Sequence, residues 1–550
     1  MTNKSETSTH TSTLHKYNFV DLFCGIGGFH QGLLKINPKN KCVLGCDIDK
    51  KARETYLKNY GTDTKFIDNI RTLTDYLFSS NEKIKELEKQ IKNRKNYLDK
   101  VSKSISELQH KVSIEKDEKK HLKLNKDIST KQKKQKEYEV SISSLNTELE
   151  KHNAVITNDK DRELSEKLKL FEEHINTQFP EEVDIICGGF PCQPFSNGGK
   201  KLALEDDRGD LFFNIMYLAR VKKPKFMFLE NVKHLMTVKD GEVFRLILKT
   251  LNENGYFVHV NVLSPHQLGV PQQRERVVFS CVRQDLYDAK YNDLDADNNT
   301  FKKSLAFGSA IPIGLDSNIT QDFTKIFKST DKNTNDYKIS KDLEKVLNIW
   351  DEVFQFLEVG EMLTPTILVD HLDKEYFIMN EDNTEPLKDV DGKFMVKPEY
   401  ETIFSNFRTW EKEYITKNKR IYYKYKTQWD SWLSRNRDKL QGREIYRKLE
   451  WQAGAIRKNE TIWDHFINPR QSGIRVKKAK YFPTLVAIVQ TPIYGKERRY
   501  LTPRECARLQ SFPESFILNE DDHTAYKQSG NAVNVDVVYT IMNAVIKNYD

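Results

Sequence analysis

One of the seven cysteines stands in company that could do chemistry. Cys192 lies in Gly188-Gly-Phe-Pro-Cys-Gln-Pro-Phe-Ser196, directly after an apolar run at 183–187. That run reads as a buried strand, so the thiol sits on a loop at a strand's C-terminal end, where open α/β sheets bind ligands. Pro191 and Pro194 stiffen the loop. Alone, such a cysteine is more often inert and buried; its neighbours decide. Phe228-Leu-Glu-Asn-Val232 delivers Glu230 at the end of a second apolar strand, on the same sheet edge. By itself Glu230 would read as a helix N-cap or a surface acid. Gly269-Val-Pro-Gln-Gln-Arg-Glu-Arg276 leads into a strand at 277–282, with Arg274 and Arg276 on one face because extended side chains alternate. Phosphate contacts or surface ion pairs would use the same two arginines. A thiolate, a carboxyl group and two cations together suit nucleophilic catalysis with acid–base support.

The elements that must position these groups are legible as alternating strands and helices. A strand at 18–23, the glycine turn Cys24-Gly-Ile-Gly-Gly28 and a helix at 29–35 open a dinucleotide-type βαβ unit. A second strand at 41–46 ends at Asp47, about twenty residues after the glycines, where an acid suits the ribose hydroxyls of an adenosine-type cofactor. Further strands at 226–229 and 257–263, with helices at 211–220 and 242–254, predict an α/β layer with a mainly parallel sheet.

Composition sets the outer bounds. A chain of 550 residues is too long for one ordinary domain, and 38% hydrophobic with 31% charged residues is a water-soluble balance. There is no apolar run long enough to span a membrane. Residues 1–16 are rich in Ser and Thr and read as a disordered tail. Seven cysteines without paired metal-type spacing suggest a reduced, cytoplasmic protein with neither a disulfide framework nor a metal site. A net charge of +8 permits nucleic-acid binding without requiring it.

Two segments interrupt the α/β pattern. Between Gly61 and Gly188 there is no glycine, and Ile84, Leu87, Ile91, Leu98, Val101, Ile105, Leu108 and Val112 keep heptad spacing. The register breaks across 115–121 and resumes through Leu124, Ile128, Tyr138, Ile142, Leu145 and Leu149, which predicts an antiparallel coiled-coil hairpin over 81–154. One long charged helix, or a pairing arm for a second subunit, would share that pattern. From 284 to about 480 polar residues and all six tryptophans dominate, which reads as a separate inserted domain. Within 408–458, Arg420, Lys424, Lys426, Arg435, Arg437, Arg443 and Arg447 interleave with Tyr422, Tyr425, Trp429 and Trp432. Basic groups suit phosphates; for most of the aromatics a core face is the preferred reading.

Asp21-Leu-Phe-Cys-Gly-Ile-Gly-Gly28, Gly189-Phe-Pro-Cys-Gln-Pro-Phe-Ser196, Glu230-Asn-Val232 and Gln272-x-Arg274-x-Arg276 resemble, in order, the motifs of DNA (cytosine-5) methyltransferases. So do Leu501-Thr-Pro-Arg-Glu-Cys-Ala-Arg-Leu-Gln510 and Gln528-Ser-Gly-Asn-Ala-Val533. The resemblance spans about 17–282 and 498–550 and points to the bacterial restriction–modification type. It implies a Rossmann-like S-adenosylmethionine-dependent domain in three parts, 17–80, 155–282 and 491–550, with a target-recognition domain at 283–490. It also implies that Phe23, Gly25, Ile26, Gly27, Asp47, Ile48, Asn69, Ile70, Pro191, Leu211, Asn531 and Ala532 meet S-adenosylmethionine. Asp47 stands where the family usually has glutamate, Ile48 where a larger aromatic is frequent, and Asn534 where proline is frequent.

The implied reaction explains these residue types. Carbon 5 of cytosine is too weak a nucleophile to take a methyl group unaided; attack by the Cys192 thiolate on C6 generates the needed carbanion character at C5. Glu230, carrying or sharing a proton, would hydrogen-bond N3, with Arg274 and Arg276 orienting the base and supporting the anions. The cytosine must be flipped from double-stranded DNA. Gln193, Ser196 and Lys200 on the loop after the cysteine, and Thr484 and Leu485 in the Pro-Thr-Leu stretch, are the expected DNA contacts. A cognate restriction endonuclease and self-association through 81–154 are the further partners this reading allows. A tRNA methyltransferase on the same scaffold and a non-catalytic DNA-binding or assembly subunit are the competing readings.

Overall fold

The computed structural model describes residues 16–74, 80–114, 117–159, 181–191, 210–291, 308–316, 318–328, 334–381, 386–487 and 490–550, with isolated positions 172, 173, 175–177, 179 and 331. Their packing divides the chain into two units: Met1–Asn69, Val183–Phe212 and Lys223–Asp550 form one, and Ile70–Glu182 with Phe213–Lys222 the other.

In the first unit the apolar runs pair into a seven-stranded sheet. Its strands are β1 (Asn18–Leu22), β2 (Lys41–Cys46), β3 (Lys65–Ile67), β4 (Ile185–Gly189), β5 (Phe226–Val232), β6 (Tyr256–Leu263) and β7 (Arg276–Arg283), in the order β3-β2-β1-β4-β5-β7-β6. β3, β2, β1, β4 and β5 run parallel. Chain order reverses between β1 and β4, so a crevice opens at their carboxyl ends. β7 departs from the expected parallel pattern and runs antiparallel to both β5 and β6. The physical reason lies in the link after β6, which holds one short turn, Pro265–Leu268, and no crossover helix. The reversal has a consequence for chemistry: it sets the start of β7 beside the end of β5, with Arg276 opposite Val232 and Glu230 opposite Val278.

The sheet is buried on both faces, and one side is closed by the C-terminal helix Val535–Tyr549. Val538, Met542, Val545 and Ile546 of that helix pack on Phe19, Ile185, Phe226 and Phe228. Asn534 caps it, accepting from the Val537 amide at 3.0 Å while donating to the Leu509 carbonyl at 2.9 Å. Asparagine therefore serves in the place where proline is frequent.

A second sheet in the same unit takes short strands from the region rich in tryptophan: β8 (Ile367–Leu368), β9 (Lys448–Gln452), β10 (Phe466–Arg470), β11 (Gly473–Lys477), β12 (Ile493–Tyr494) and β13 (Arg499–Tyr500). Their order is β13-β12-β10-β11-β9-β8. Trp350, Trp429 and Trp432 are fully buried beside it. Several basic residues near them make surface ion pairs: Lys424 pairs with Glu358, Lys426 with Asp430, Arg435 with Glu352 and Arg437 with Asp373. Arg508, from the Leu501–Gln510 stretch, reaches Asp331 at 2.6 Å and Glu514 at 2.8 Å, and Arg499 clasps Glu505 at 2.8 Å. Two links of that second sheet's region to the C-terminal helices are thus ionic.

In the second unit the helices Ser80–Ile114 and Glu118–Asp159 pack against each other. Leu87 and Ile91 meet Ile142 and Leu145, whereas Val101 and Ile105 meet Ile128, a register that only an antiparallel pair allows. Tyr97 stacks on Tyr138 with ring centres 4.6 Å apart. No helix among the described residues is long and apolar enough to cross a membrane.

Asp21, in the middle of β1, is fully buried, and burial pushes its carboxyl up to about 8 against hydrogen bonds from Cys187, the His30 amide and Tyr56. In the unfolded chain the same group titrates at its ordinary value near 3.8. Between those values the folded state binds the extra proton, so this residue's contribution to stability falls as pH rises from about 4 to about 8. Asp21→Asn, which carries no titrating proton, is expected to gain stability over the parent as pH increases across that window. Parallel urea midpoints for the two proteins from pH 5 to pH 8 would refute this.

Candidate active site

The glycine turn after β1 is built for close approach. The Gly25 amide donates to Asp47 Oδ2 at 2.7 Å, which ties the end of β1 to the end of β2. Asp47 Oδ1 accepts from the Asp49 amide at 2.8 Å. Burial raises the Asp47 carboxyl, and those two amides oppose the shift. Gly25 has φ +54°, and a Cβ there would point into open space, so a larger side chain would fill room that a ligand can use. Phe23 holds φ +52° without being glycine, a strained conformation of the kind found at ligand clamps. Ile48, next to Asp47, is an apolar side chain left 80% exposed.

The other residues expected to meet the cofactor are distributed differently. Gly27, with φ +87°, abuts Tyr60; Ile26 and Ala532 are buried in one apolar cluster with Phe512 and Val535. Asn531 is exposed at the end of helix Asp522–Asn531. Pro191 is exposed directly after β4, and Leu211 is half-buried in the first turn of helix Asp210–Lys222. Asn69 is half-buried, while Ile70 is buried and belongs to the other unit.

Along the sheet edge, Glu230 and Arg276 meet. Arg276 Nε lies 2.8 Å from Glu230 Oε1, and both side chains are nearly buried. Gly189 lies against the same carboxylate: a Cβ there would stand 3.1 Å from Glu230 Oε2. Cys192 follows three residues later and lies outside the described residues, as do Gln193, Ser196 and Lys200.

Arg274 takes a different place from its partner. Its guanidinium donates to the carbonyls of Leu485 at 2.9 Å, Gly530 at 3.1 Å and Ala532 at 3.0 Å. Burial, with Arg276 nearby, pushes it down to about 9. Leu485, expected to touch DNA, has its side chain buried with Phe466, Phe482 and Leu501. Its apolar side chain fills a core, and its carbonyl serves Arg274. Thr484 stays at a surface: its hydroxyl donates to the Gln273 carbonyl at 2.7 Å. With Arg276, Asn468, Arg475 and Lys477 it lines a cleft of about 380 Å³ between the start of β7 and the β10–β11 hairpin. A larger cavity of about 870 Å³, lined by Met362, Phe394 and Arg420 among others, holds none of these residues.

Two residues not singled out from the sequence belong to this geometry. Asn231 donates to the Phe190 carbonyl at 2.9 Å and so pins the chain just ahead of Cys192. A polar amide one residue after a buried glutamate was the available signal. Asn468 is almost buried in the cleft, and its Oδ1 has no partner among the described residues. Nothing in one sequence distinguishes it from other asparagines.

The model of the C-5 cytosine-specific DNA methylase family matches residues 17–85 and 152–547. The Type II methyltransferase M.AluI of Cellulosimicrobium cellulans is 27% identical over 423 residues, covering 66% of this chain and 79% of that protein. M.BanI of Aneurinibacillus aneurinilyticus, also a Type II methyltransferase, is 28% identical over 409 residues, covering 68% and 83%. A shorter stretch of 132 residues, 24% of this chain, is 41% identical to M.HhaI of Haemophilus parahaemolyticus and covers 40% of it. With the family model matched on both sides of the helix pair, the chain belongs to the C-5 cytosine-specific DNA methylases and is a DNA (cytosine-5) methyltransferase.

Proposed function

We propose that this chain methylates C5 of a flipped-out cytosine within a specific double-stranded DNA sequence through a covalent bond from Cys192 to C6. The reading extends to protection of host DNA from a cognate restriction endonuclease in the bacterial cytoplasm. It is supported chiefly by the Glu230–Arg276 pair, 2.8 Å apart beside Gly189, at the mouth of the strand that leads to Cys192. The other six cysteines add to it by elimination. All are buried, and burial raises the thiols of Cys24, Cys187, Cys281 and Cys506, and that of Cys42 to about 12, which makes them poor nucleophiles.

In this reading S-adenosylmethionine supplies the methyl group when bound. The Gly25–Asp47 link, the open space at Gly25 and the exposed face of Ile48 fit an adenosyl group. Asp47 would hold the ribose, and the backbone from Phe23 to Gly27 would line the methionine end, with Pro191, Leu211, Asn531 and Ala532 completing the pocket. Asn69 and Ile70 are assigned to the adenine. Cys192 adds to C6 and raises electron density at C5; Glu230, steered by Arg276, hydrogen-bonds N3 and stabilises the charge spread over the ring. Loss of the C5 proton and departure of Cys192 then release 5-methylcytosine. Gln193, Ser196, Lys200 and Thr484 are assigned to DNA, residues 283–490 to target recognition and 81–154 to a coiled-coil hairpin.

Bisulfite sequencing of plasmid from a methylation-deficient host expressing the chain tests the reading. Protected cytosines confined to one short sequence are expected. Plasmid without protection, despite folded protein that binds S-adenosylmethionine, would redirect the assignment to RNA or to a missing partner.

A further inference from the structure

The helix pair carries a charge pattern that the methylation reaction does not use. Residues 100–136 contain twelve lysines against five acids, a net of +7. Residues 81–99 and 137–160 contain eight basic and nine acidic residues, a net of −1. Because the helices are antiparallel, with Val101 and Ile105 packed on Ile128, the basic stretches of both helices share one end of the pair, the end that carries the connection. Nearly all of the chain's +8 excess is therefore concentrated on the distal half of one element.

Placement within that half is also ordered. Lys123, Lys126, Lys133 and Lys134 are all exposed, and their spacing of 3, 7 and 1 places them on one helical face, away from the buried Ile128. Lys100, Lys103 and Lys111 share one exposed face of the first helix, with Glu107 between them. The apolar seam is consumed inside the pair, since Leu87, Ile91, Ile142 and Leu145 pack on one another and Val101 and Ile105 pack on Ile128. Ile114 and Leu122 stand exposed as isolated apolar side chains among these lysines, so a second copy would meet mainly like charge and no continuous apolar face. A polyanion would find a lysine stripe about 16 Å long at 1.5 Å per residue.

We infer that the distal half of the helix pair, residues 100–136, is a sequence-independent binding surface for duplex DNA outside the methylated sequence. The inference rests on the chain acting on duplex DNA. Each lysine that neutralises a phosphate releases counterions, so the surface adds affinity that salt removes steeply. It confers no base preference, because phosphates carry none.

The test uses the full chain and a variant with Lys123→Gln, Lys126→Gln, Lys133→Gln and Lys134→Gln; glutamine keeps helix propensity while removing charge. Binding is measured on a duplex barely longer than the methylated sequence and on one extended by about 40 base pairs each side, beyond the span of any single contact set. The parent is expected to prefer the long duplex, and that preference should shrink about a hundredfold between 50 and 200 mM salt if four phosphates are engaged. The variant is expected to lose the preference, with a slope of log affinity against log salt shallower by about 3 to 4 on the long duplex. Its methylation of the short duplex should equal the parent's, which also shows that it is folded. An unchanged salt slope on the long duplex overturns the inference, as does an equal loss on both duplexes. So does a fall in solution mass on substitution, which would assign the lysines to self-association. Failure of the parent to methylate either duplex would defeat the catalytic reading, while the length dependence would still decide this one.

Discussion

Cys192→Ala is expected to lower methyl transfer by at least about 10³-fold while leaving DNA binding within a few-fold of the parent. The size of the effect follows from the substrate. Without a nucleophile on C6, carbon 5 of an aromatic pyrimidine has no carbanion character to offer, and no positioning of the methyl donor substitutes for that. Glu230→Gln retains hydrogen-bonding capacity and should lose less, about 10²- to 10⁴-fold, the range of general acid–base contributions. The decisive observation is the adduct itself. A duplex carrying 5-fluorocytosine cannot release C5 fluorine as a proton is released, so the Cys192–C6 bond should persist and appear as a protein–DNA conjugate in a mass spectrum. The parent and Glu230→Gln, given time, should both form it; Cys192→Ala should not. A conjugate in the alanine variant, or 5-methylcytosine from it, would assign the nucleophile elsewhere. Elsewhere is poorly supplied, since the six other thiols are buried.

How much of this was legible in the sequence depends on the range of the forces involved. The opening of the first sheet is readable because it is local: an apolar run, glycines that permit φ values above zero, then a helix, with β2 occupying the expected 41–46. Alternation of strands and helices likewise gives the α/β layer. The reversal of β7 is less readable, because it turns on what the link from β6 lacks. The second sheet escapes almost entirely. Its strands are two to five residues long and are gathered from 367–500, so no periodicity accumulates within any one of them. Side-chain fates follow the same division. Arg274 and Arg276 alternate to one face as extended residues do, yet one contacts a carboxylate and the other three carbonyls, two of them more than 250 residues away in sequence. Leu485, assigned to DNA by resemblance, has its side chain packed in a core, which no local pattern announces. The lysines and arginines of 424–437, suited to phosphates by type, are paired with acids from 352–373 and 430.

That division of labour between the two arginines gives the second large effect. Arg274→Met is expected to destabilise the fold by about 2–5 kcal/mol, because three buried carbonyls lose their donors and each costs about 1–3 kcal/mol, partly offset by no longer burying a cation. The cation's discomfort is visible in its acidity, pushed down to about 9. Methionine matches the length and apolar stem, so packing changes little and the loss reports the hydrogen bonds. Those bonds join the start of β7 to Leu485 on one side and to Gly530 and Ala532 on the other. The variant should therefore lose affinity for S-adenosylmethionine and for DNA together, as the glycine-bearing C-terminal stretch and the recognition segment loosen at once. Arg276→Met should behave in the opposite way: a smaller change in the urea midpoint, unchanged S-adenosylmethionine affinity, and a fall in turnover close to that of Glu230→Gln, because its guanidinium contacts Glu230 rather than the backbone. Measured side by side, urea midpoints and turnover should rank the two variants in reverse order. Equal destabilisation, or an Arg274→Met protein that is stable and merely slow, would return Arg274 to the chemistry and remove it from the scaffold.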